Sequence, residues 1–241
     1  MRKHFEYRES AVTIEAADDY IPIAERAILD ARKNIEALIA RDPFFRTTFD
    51  PYPLSPEMAP VIRRMCLAAE KANVGPMATV AGAIGEEALL AMTEAGCTHC
   101  TVDNGGDIAM RSSKTITVGL YAGEISPKYI ALNVPPTRGM LGICTSSGTV
   151  GPSISLGRAD LATVISTEVA LADACATKLG NMIVDDDPDT IERALRKVLS
   201  IAGVRGALTM INGKLGMAGD VPRLVECTVP EDKITRVWYG R

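Results

Sequence analysis

The sequence predicts an α+β fold with antiparallel sheets flanked by helices, and three observations carry that expectation. Segments with helical spacing and segments with alternating spacing fall into separate blocks rather than alternating β and α units. The long strand block begins with a glycine-glycine turn, "DNGGDIAM", and a second hairpin signal, Asn212-Gly213, stands near the end. Composition agrees, since 47% of the 241 residues are hydrophobic and 23% are charged, which is ordinary globular usage. The expectation is one domain over residues 1–241 with two lobes, a hairpin and helices over 1–96 and a strand-rich part with late helices over 97–241.

In order, "HFEYRESAVTIEA" alternates as a hairpin with its turn near Glu9 and Ser10. The segment "DDYIPIAERAILDARKNIEALIARD" places Ile23, Ala27, Ala31, Ile35 and Ile39 at helical spacing. "PFFRTTFDPYPLSP", rich in proline and phenylalanine, reads as a loop, either functional or an aromatic plug over the core. Two helices follow, in "PEMAPVIRRMCLAAEKA" and "ATVAGAIGEEALLAMTEAG". From Thr98 the pattern turns to short strands, ending with "GICTSS" and "LATVIST". Helices return in "VALADACATKLGNMI" and in "TIERALRKVLSIAG", the latter capped by Asp189 or Thr190. More strands are expected from "ALTMINGKLGMAG" through "ITRVWYG".

Charge and hydropathy exclude several partners. With 26 basic and 30 acidic residues and a net charge of −4, no basic stripe is present to neutralise a nucleic-acid backbone. No apolar run approaches the ~20 residues that span a bilayer, and the first ten residues carry no apolar segment of signal-peptide type. The expected location is the cytoplasm, with no membrane partner and self-association left open. The six cysteines are then expected to be reduced thiols.

Several constellations are suited to chemistry. Gly105 and Gly106, flanked by Asn104 and Asp107, serve equally as a hairpin turn or as a place where a ligand approaches the backbone. Gly75-Pro76 precedes a helix start whose free N–H groups attract an anion. Ala78, Gly82 and Gly85 or Ala81 then leave a bald face suited to close packing or a ligand. Thr145, Ser146 and Ser147 around Gly148 offer hydroxyls at short range for phosphate, ribose or a metal shell, or form a polar turn. Asp173 and Thr177, four apart on a helix, make a hard-oxygen seat for Mg²⁺ if phosphates complete the shell. Cys97 and Cys100 form a lone CxxC, read as buried thiols or a redox pair.

Taken in order, "DNGGDIAM", "GICTSSG", "ATVIS" and "ADACATKLG" resemble the ApbE superfamily of FAD:protein FMN transferases. With "VGPMATVAGAIGE", the chain more closely resembles an uncharacterised ApbE-like family of archaea and anaerobic bacteria. The resemblance implies an ApbE-like, T-fold-related architecture. It implies Mg²⁺ held by Asp173 and Thr177, and a flavin nucleotide or other small phosphorylated or anionic ligand as partner. The ligand would lie beside Gly75, Pro76, Asn104, Gly105, Gly106, Asp107, Thr145, Ser146, Ser147 and Gly148. Where the transferases carry His-x-x-Asp-Pro-x-Thr-Gly, this chain has "SISLGRAD", with no histidine and no Asp-Pro, so the resemblance does not carry over the flavin-recognition segment. The catalytic candidates are Asp107, Cys97, Cys100 and Cys144; an activity carried over from the superfamily would be Mg-assisted and transferase-like, while the three cysteines would serve a thiol-based one. Two alternatives stand beside it: a thiol-handling role in sulfide assimilation toward homocysteine, to which the resembling family is linked, and a non-catalytic binding protein on the same fold.

Overall fold

The computed structural model describes residues 1–7, 10–120, 129–146 and 157–227. Strands β1 (Arg2–Tyr7) and β2 (Ser10–Glu15) form the first hairpin, so Ser10 is a strand residue paired with Tyr7 and Glu9 lies outside the described residues. Helix α1 (Ile21–Arg41) buries Ile21, Ala24, Ile28, Ala31, Ile35 and Leu38. That stripe is rotated from the one the sequence spacing predicts: Ile23, Ala27 and Ile39 are only half-buried. The physical reason is the helical repeat, in which every i+4 step overshoots a full turn by about 40°, so a face must alternate steps of three and four.

The proline-rich segment contains a single short turn of helix, α2 (Phe44–Thr47). Phe45 is buried and meets Tyr52 edge to face with centroids 5.0 Å apart, while Phe44 and Phe49 are exposed. The plug is thus Phe45 and Tyr52, not the whole aromatic set. Helix α3 (Pro60–Ala72) ends at Asn73, whose left-handed backbone (φ 53°) lets its N–H reach the carbonyls of Ala69 and Glu70. After a 3₁₀ turn, Pro76–Thr79, helix α4 runs over Val80–Glu94.

The strand block comprises β3 (Cys100–Asn104), β4 (Asp107–Arg111), β5 (Ile116–Leu120), β6 (Tyr129–Val134), β7 (Leu141–Ser146) and β8 (Leu161–Ser166). Helix α5 (Val169–Met182) and helix α6 (Pro188–Leu199) follow, then β9 (Val204–Ile211), β10 (Lys214–Gly219) and β11 (Arg223–Cys227). The cap of α6 is Asp187, which accepts from the Thr190 N–H, and not Asp189 or Thr190. Pro188 occupies the first helical position, where its missing N–H costs nothing, and this pushes the cap back to Asp187. Asn212 (φ 50°) and Gly213 (φ 75°) make the expected tight turn between β9 and β10. The segment "ITRVWYG" lies outside the described residues.

All ladders among the described residues are antiparallel. An eight-stranded sheet runs β1-β2-β3-β4-β7-β8-β9-β10, and a three-stranded sheet runs β11-β6-β5. Alternation along each strand sends one set of side chains to each face. Val102, Ala109, Cys144, Ala162 and Val164 join the core with the helices, whereas Met110, Ile143, Leu161, Ile165 and Leu208 join Val118, Leu132 and Val134 of the smaller sheet. The middle of the large sheet is therefore covered on both faces. Each fully buried side chain of leucine or isoleucine size contributes about 1.5–3 kcal/mol of apolar burial.

Candidate functional site

The β3–β4 hairpin sets the first part of the site. Gly105 (φ +70°) and Gly106 (φ +100°) form its two-residue turn between the paired Asn104 and Asp107. The Asp103 carboxylate accepts from the Gly106 N–H at 2.9 Å. Among the described residues, a Cβ at either glycine meets nothing within 4 Å, so backbone conformation rather than crowding requires them. Strand alternation turns Asn104 and Asp107 toward the helices, with Val102 and Ala109. Asn104 donates from Nδ2 to the Ala81 carbonyl at 3.1 Å, tying the hairpin to the start of α4.

That helix start is closed to an external anion at its outer end. Pro76 and Thr79 are buried in the 3₁₀ turn, and Thr79 donates to the Pro76 carbonyl at 2.7 Å. A Cβ on Gly75 would collide with the Thr48 carbonyl oxygen, so Gly75 is required for contact with the Thr48–Phe49 backbone. Packing also explains the bald face of α4. Gly82 lies against α5, with its Cβ position 2.7 Å from Asp173 Cβ and 2.8 Å from the Val169 carbonyl. Gly85 rests in ordinary contact with Ala109 and Val102 of the sheet.

Asp173, on α5, is 9% exposed. Its Oδ2 accepts from the Gly82 N–H at 2.8 Å. Burial pushes its pKa up to about 7, against the pull of the Gly82 and Ala81 amides. Among the described residues, the buried Oδ1 of Asp107 has no hydrogen-bond partner. Burial, and next the charge of Asp173, holds the Asp107 carboxyl well above the usual carboxylate range, while the Cys144 thiol and the Thr145 amide draw it down as donors. The Cys144 sulfur also lies 3.5 Å from the Val169 carbonyl oxygen, an alternative acceptor for its single S–H. Thr177 is half-buried one turn beyond Asp173.

The structure thus brings together Asn104, Asp107, Cys144, the Thr145 backbone, Gly82 and Asp173. The hydroxyl run divides between the two faces of β7. Thr145 Oγ1 bonds Thr163 Oγ1 at 2.9 Å across the strand pair, on the face opposite Cys144, and Ser146 turns back to the helix side beside Gly180. Ser147 and Gly148 lie outside the described residues. Cys97 and Cys100, the latter the first residue of β3, are buried in contact with each other. Four residue steps of strand, roughly 13 Å, separate Cys100 from Asn104, so this pair stands apart from the carboxylates. Burial raises the Cys100 thiol to about 12, with Cys97 reinforcing the shift, and raises Cys144 well above an ordinary thiol. Such thiols are poor nucleophiles.

One buried acid is absent from the sequence expectations. Glu86, 1% exposed, accepts from Arg64 Nη1 at 2.8 Å and from the Ala170 N–H at 2.9 Å. Its signal was an acidic pair, Glu86-Glu87, within an otherwise apolar helix. Burial raises its pKa and Arg64 opposes the shift. Among the described residues, no three His, Cys, Asp or Glu side chains converge as a closed metal cage, and no helix is long and apolar enough to cross a membrane.

Solved structures identify the class of fold. The flavin transferase ApbE from Vibrio cholerae superposes with a TM-score of 0.57 at 11% identity, covering 91% of this chain and 96% of that one. The apo form of the Pseudomonas stutzeri flavinyl transferase ApbE gives 0.54 at 11% identity, covering 91% and 95%. The fold is ApbE-like. The family model described as "AbpE bacteria" matches residues 1–207, and the chain belongs to that family. A UPF0280 protein of Methanocella arvoryzae is 46% identical over 238 residues, covering 98% of this chain and 96% of the relative. A UPF0280 protein of Methanothrix thermoacetophila is 45% identical over 238 residues, covering 98% and 99%.

Proposed function

We propose that this protein binds a small phosphorylated or anionic ligand through a divalent cation, Mg²⁺ by donor chemistry, at the Asp107–Asp173 pair. The carrying observation is the buried Oδ1 of Asp107, unpartnered among the described residues, beside a second buried carboxylate. Two such groups stay buried together only if a proton or a cation offsets their charge. The donor set fits Mg²⁺, which is held by one or two carboxylates and completed by ligand phosphates and water. Asp173 and Asp107 would hold it, with the Thr177 hydroxyl as a further oxygen donor.

When bound, the cation supplies Lewis-acid polarisation of a phosphoryl group. The chain's own residues do the rest. The Gly82 and Ala81 amides orient Asp173, Asn104 fixes the β3–β4 hairpin to α4, and Gly105-Gly106 border the side on which ligand would lie. The names of the structural relatives make a flavin nucleotide the first ligand to test. Group transfer by this chain is a separate question, because "SISLGRAD" stands where the transferases carry their histidine segment.

The test is calorimetric titration of FAD with and without Mg²⁺ into wild type and Asp173→Asn, which retains an oxygen for the Gly82 N–H. The expected result is Mg²⁺-dependent binding that the variant loses. Equal affinity in both proteins would overturn the assignment of the site.

A further inference from the structure

The starts of α4 and α5 are satisfied by each other's side chains. The first N–H groups of a helix have no partner within it. Asp173 of α5 accepts from Gly82 at 2.8 Å and from Ala81, in the first turn of α4. In the reverse direction, Glu86 of α4 accepts from Ala170 at 2.9 Å and from Val169, in the first turn of α5. The chain from Gly82 to Glu86 and the chain from Ala170 to Asp173 close these contacts into a ring.

A local cap would have satisfied α5 without linking it to α4. The cap position of α5 is Glu168, whose side chain makes no capping bond and instead binds Lys71 at 2.9 and 3.0 Å. The buried Glu86 takes that role from the neighbouring helix. Its other oxygen is held by Arg64 of α3, which also reaches Glu87 at 3.2 Å. The ring has little slack, because Gly82 brings the two helices close enough to exclude a Cβ.

We propose that Glu86 is a positioning residue for Asp173. It sets the start of α5 about one turn before Asp173, and so the height at which that carboxylate meets the Gly82 amide and Asp107. The mechanical coupling stands on the ring, while its consequence for ligand rests on the cation site proposed above.

The test reads amide hydrogen exchange at the Gly82 N–H, which bonds Asp173 and not the Glu86 side chain, together with Mn²⁺ affinity by electron paramagnetic resonance. In Glu86→Ala, exchange at Gly82 is expected to quicken about tenfold. Mn²⁺ affinity is expected to fall about 10–100-fold, as for other groups that orient a metal ligand. Glu86→Gln, whose amide oxygen still accepts from Ala170, should restore much of both. Glu87→Ala is the control, since it disturbs the same arginine away from the α5 start, and it should leave both readings near wild type. If Glu86→Ala does not fold, Glu86→Asp, one carbon shorter, carries the same comparison. Equal Gly82 exchange in the Glu86 and Glu87 variants would overturn the proposal. Quickened exchange in a protein that binds no Mn²⁺ would support the positioning role and overturn the cation reading instead.

Discussion

Replacing Gly82 and Gly85, three residues apart on α4, by alanine should change stability in opposite directions. Both gain about 1 kcal/mol of helix propensity. At Gly85 the new methyl would lie 3.6 Å from Ala109 Cβ and 3.9 Å from Val102 Cγ1, ordinary contacts that leave the gain intact. At Gly82 it would lie 2.7 Å from Asp173 Cβ and 2.8 Å from the Val169 carbonyl. Overpacking of that kind costs about 1–3 kcal/mol, and weakening the buried amide-to-carboxylate bond costs about 1.5–3 kcal/mol more. After the propensity gain, the net loss is about 1.5–5 kcal/mol. For a chain of this length, each kcal/mol shifts Tm by about 2–4 °C. Calorimetry should therefore show Gly82→Ala melting roughly 3–20 °C below wild type and Gly85→Ala roughly 2–4 °C above it. Two variants of equal stability, or a stabilised Gly82→Ala, would refute the close contact between α4 and α5.

Two further outcomes follow from the buried acids and thiols. The folded Asp173 titrates near 7 and the unfolded one near 3.9, so its contribution to stability is full below about pH 4 and is lost as pH rises through about 7. Urea unfolding without divalent cation should show wild type losing ground to Asp173→Asn across that window, and a wild-type difference independent of pH would contradict the burial. Iodoacetamide at pH 8, read by mass spectrometry, should spare Cys66 and Cys175, raised by burial to about 11 and about 12, along with Cys97, Cys100 and Cys144, until the chain is unfolded. Native labelling of Cys97 or Cys100 would revive a thiol-based role.

Local signals made the elements legible. Gly105-Gly106 and Asn212-Gly213 demand positive φ, which few other residues supply, and both hairpins stand where those pairs placed them. Pro188 carried the information for the α6 cap, because a proline at the first helical position marks the residue before it, whereas Asp189 and Thr190 fit a cap by residue type alone. The division of Thr145 from Ser146 followed from strand alternation. The departure of β5 and β6 into a second sheet, which makes β4 and β7 neighbours, has no local signature. The meeting of Asp107 with Asp173 depends on that pairing and on the descent of α5 onto the sheet, so from sequence it was available only through resemblance. Glu86 was visible as a charge in an apolar helix, but its partner lies 84 residues away.

The reciprocal carboxylates also shape the field of the helix layer. An α-helix carries roughly half a positive charge at its N-terminus, and here the two N-termini beside the site are each met by a buried carboxyl from the other helix, that of α4 by Asp173 of α5 and that of α5 by Glu86 of α4. Neither is left for a phosphate arriving from solvent. On the cation reading proposed above, such a site would disfavour a bare anion and favour one accompanied by a metal ion, so that selectivity would lie in the pairing of ligand and cation rather than in either alone.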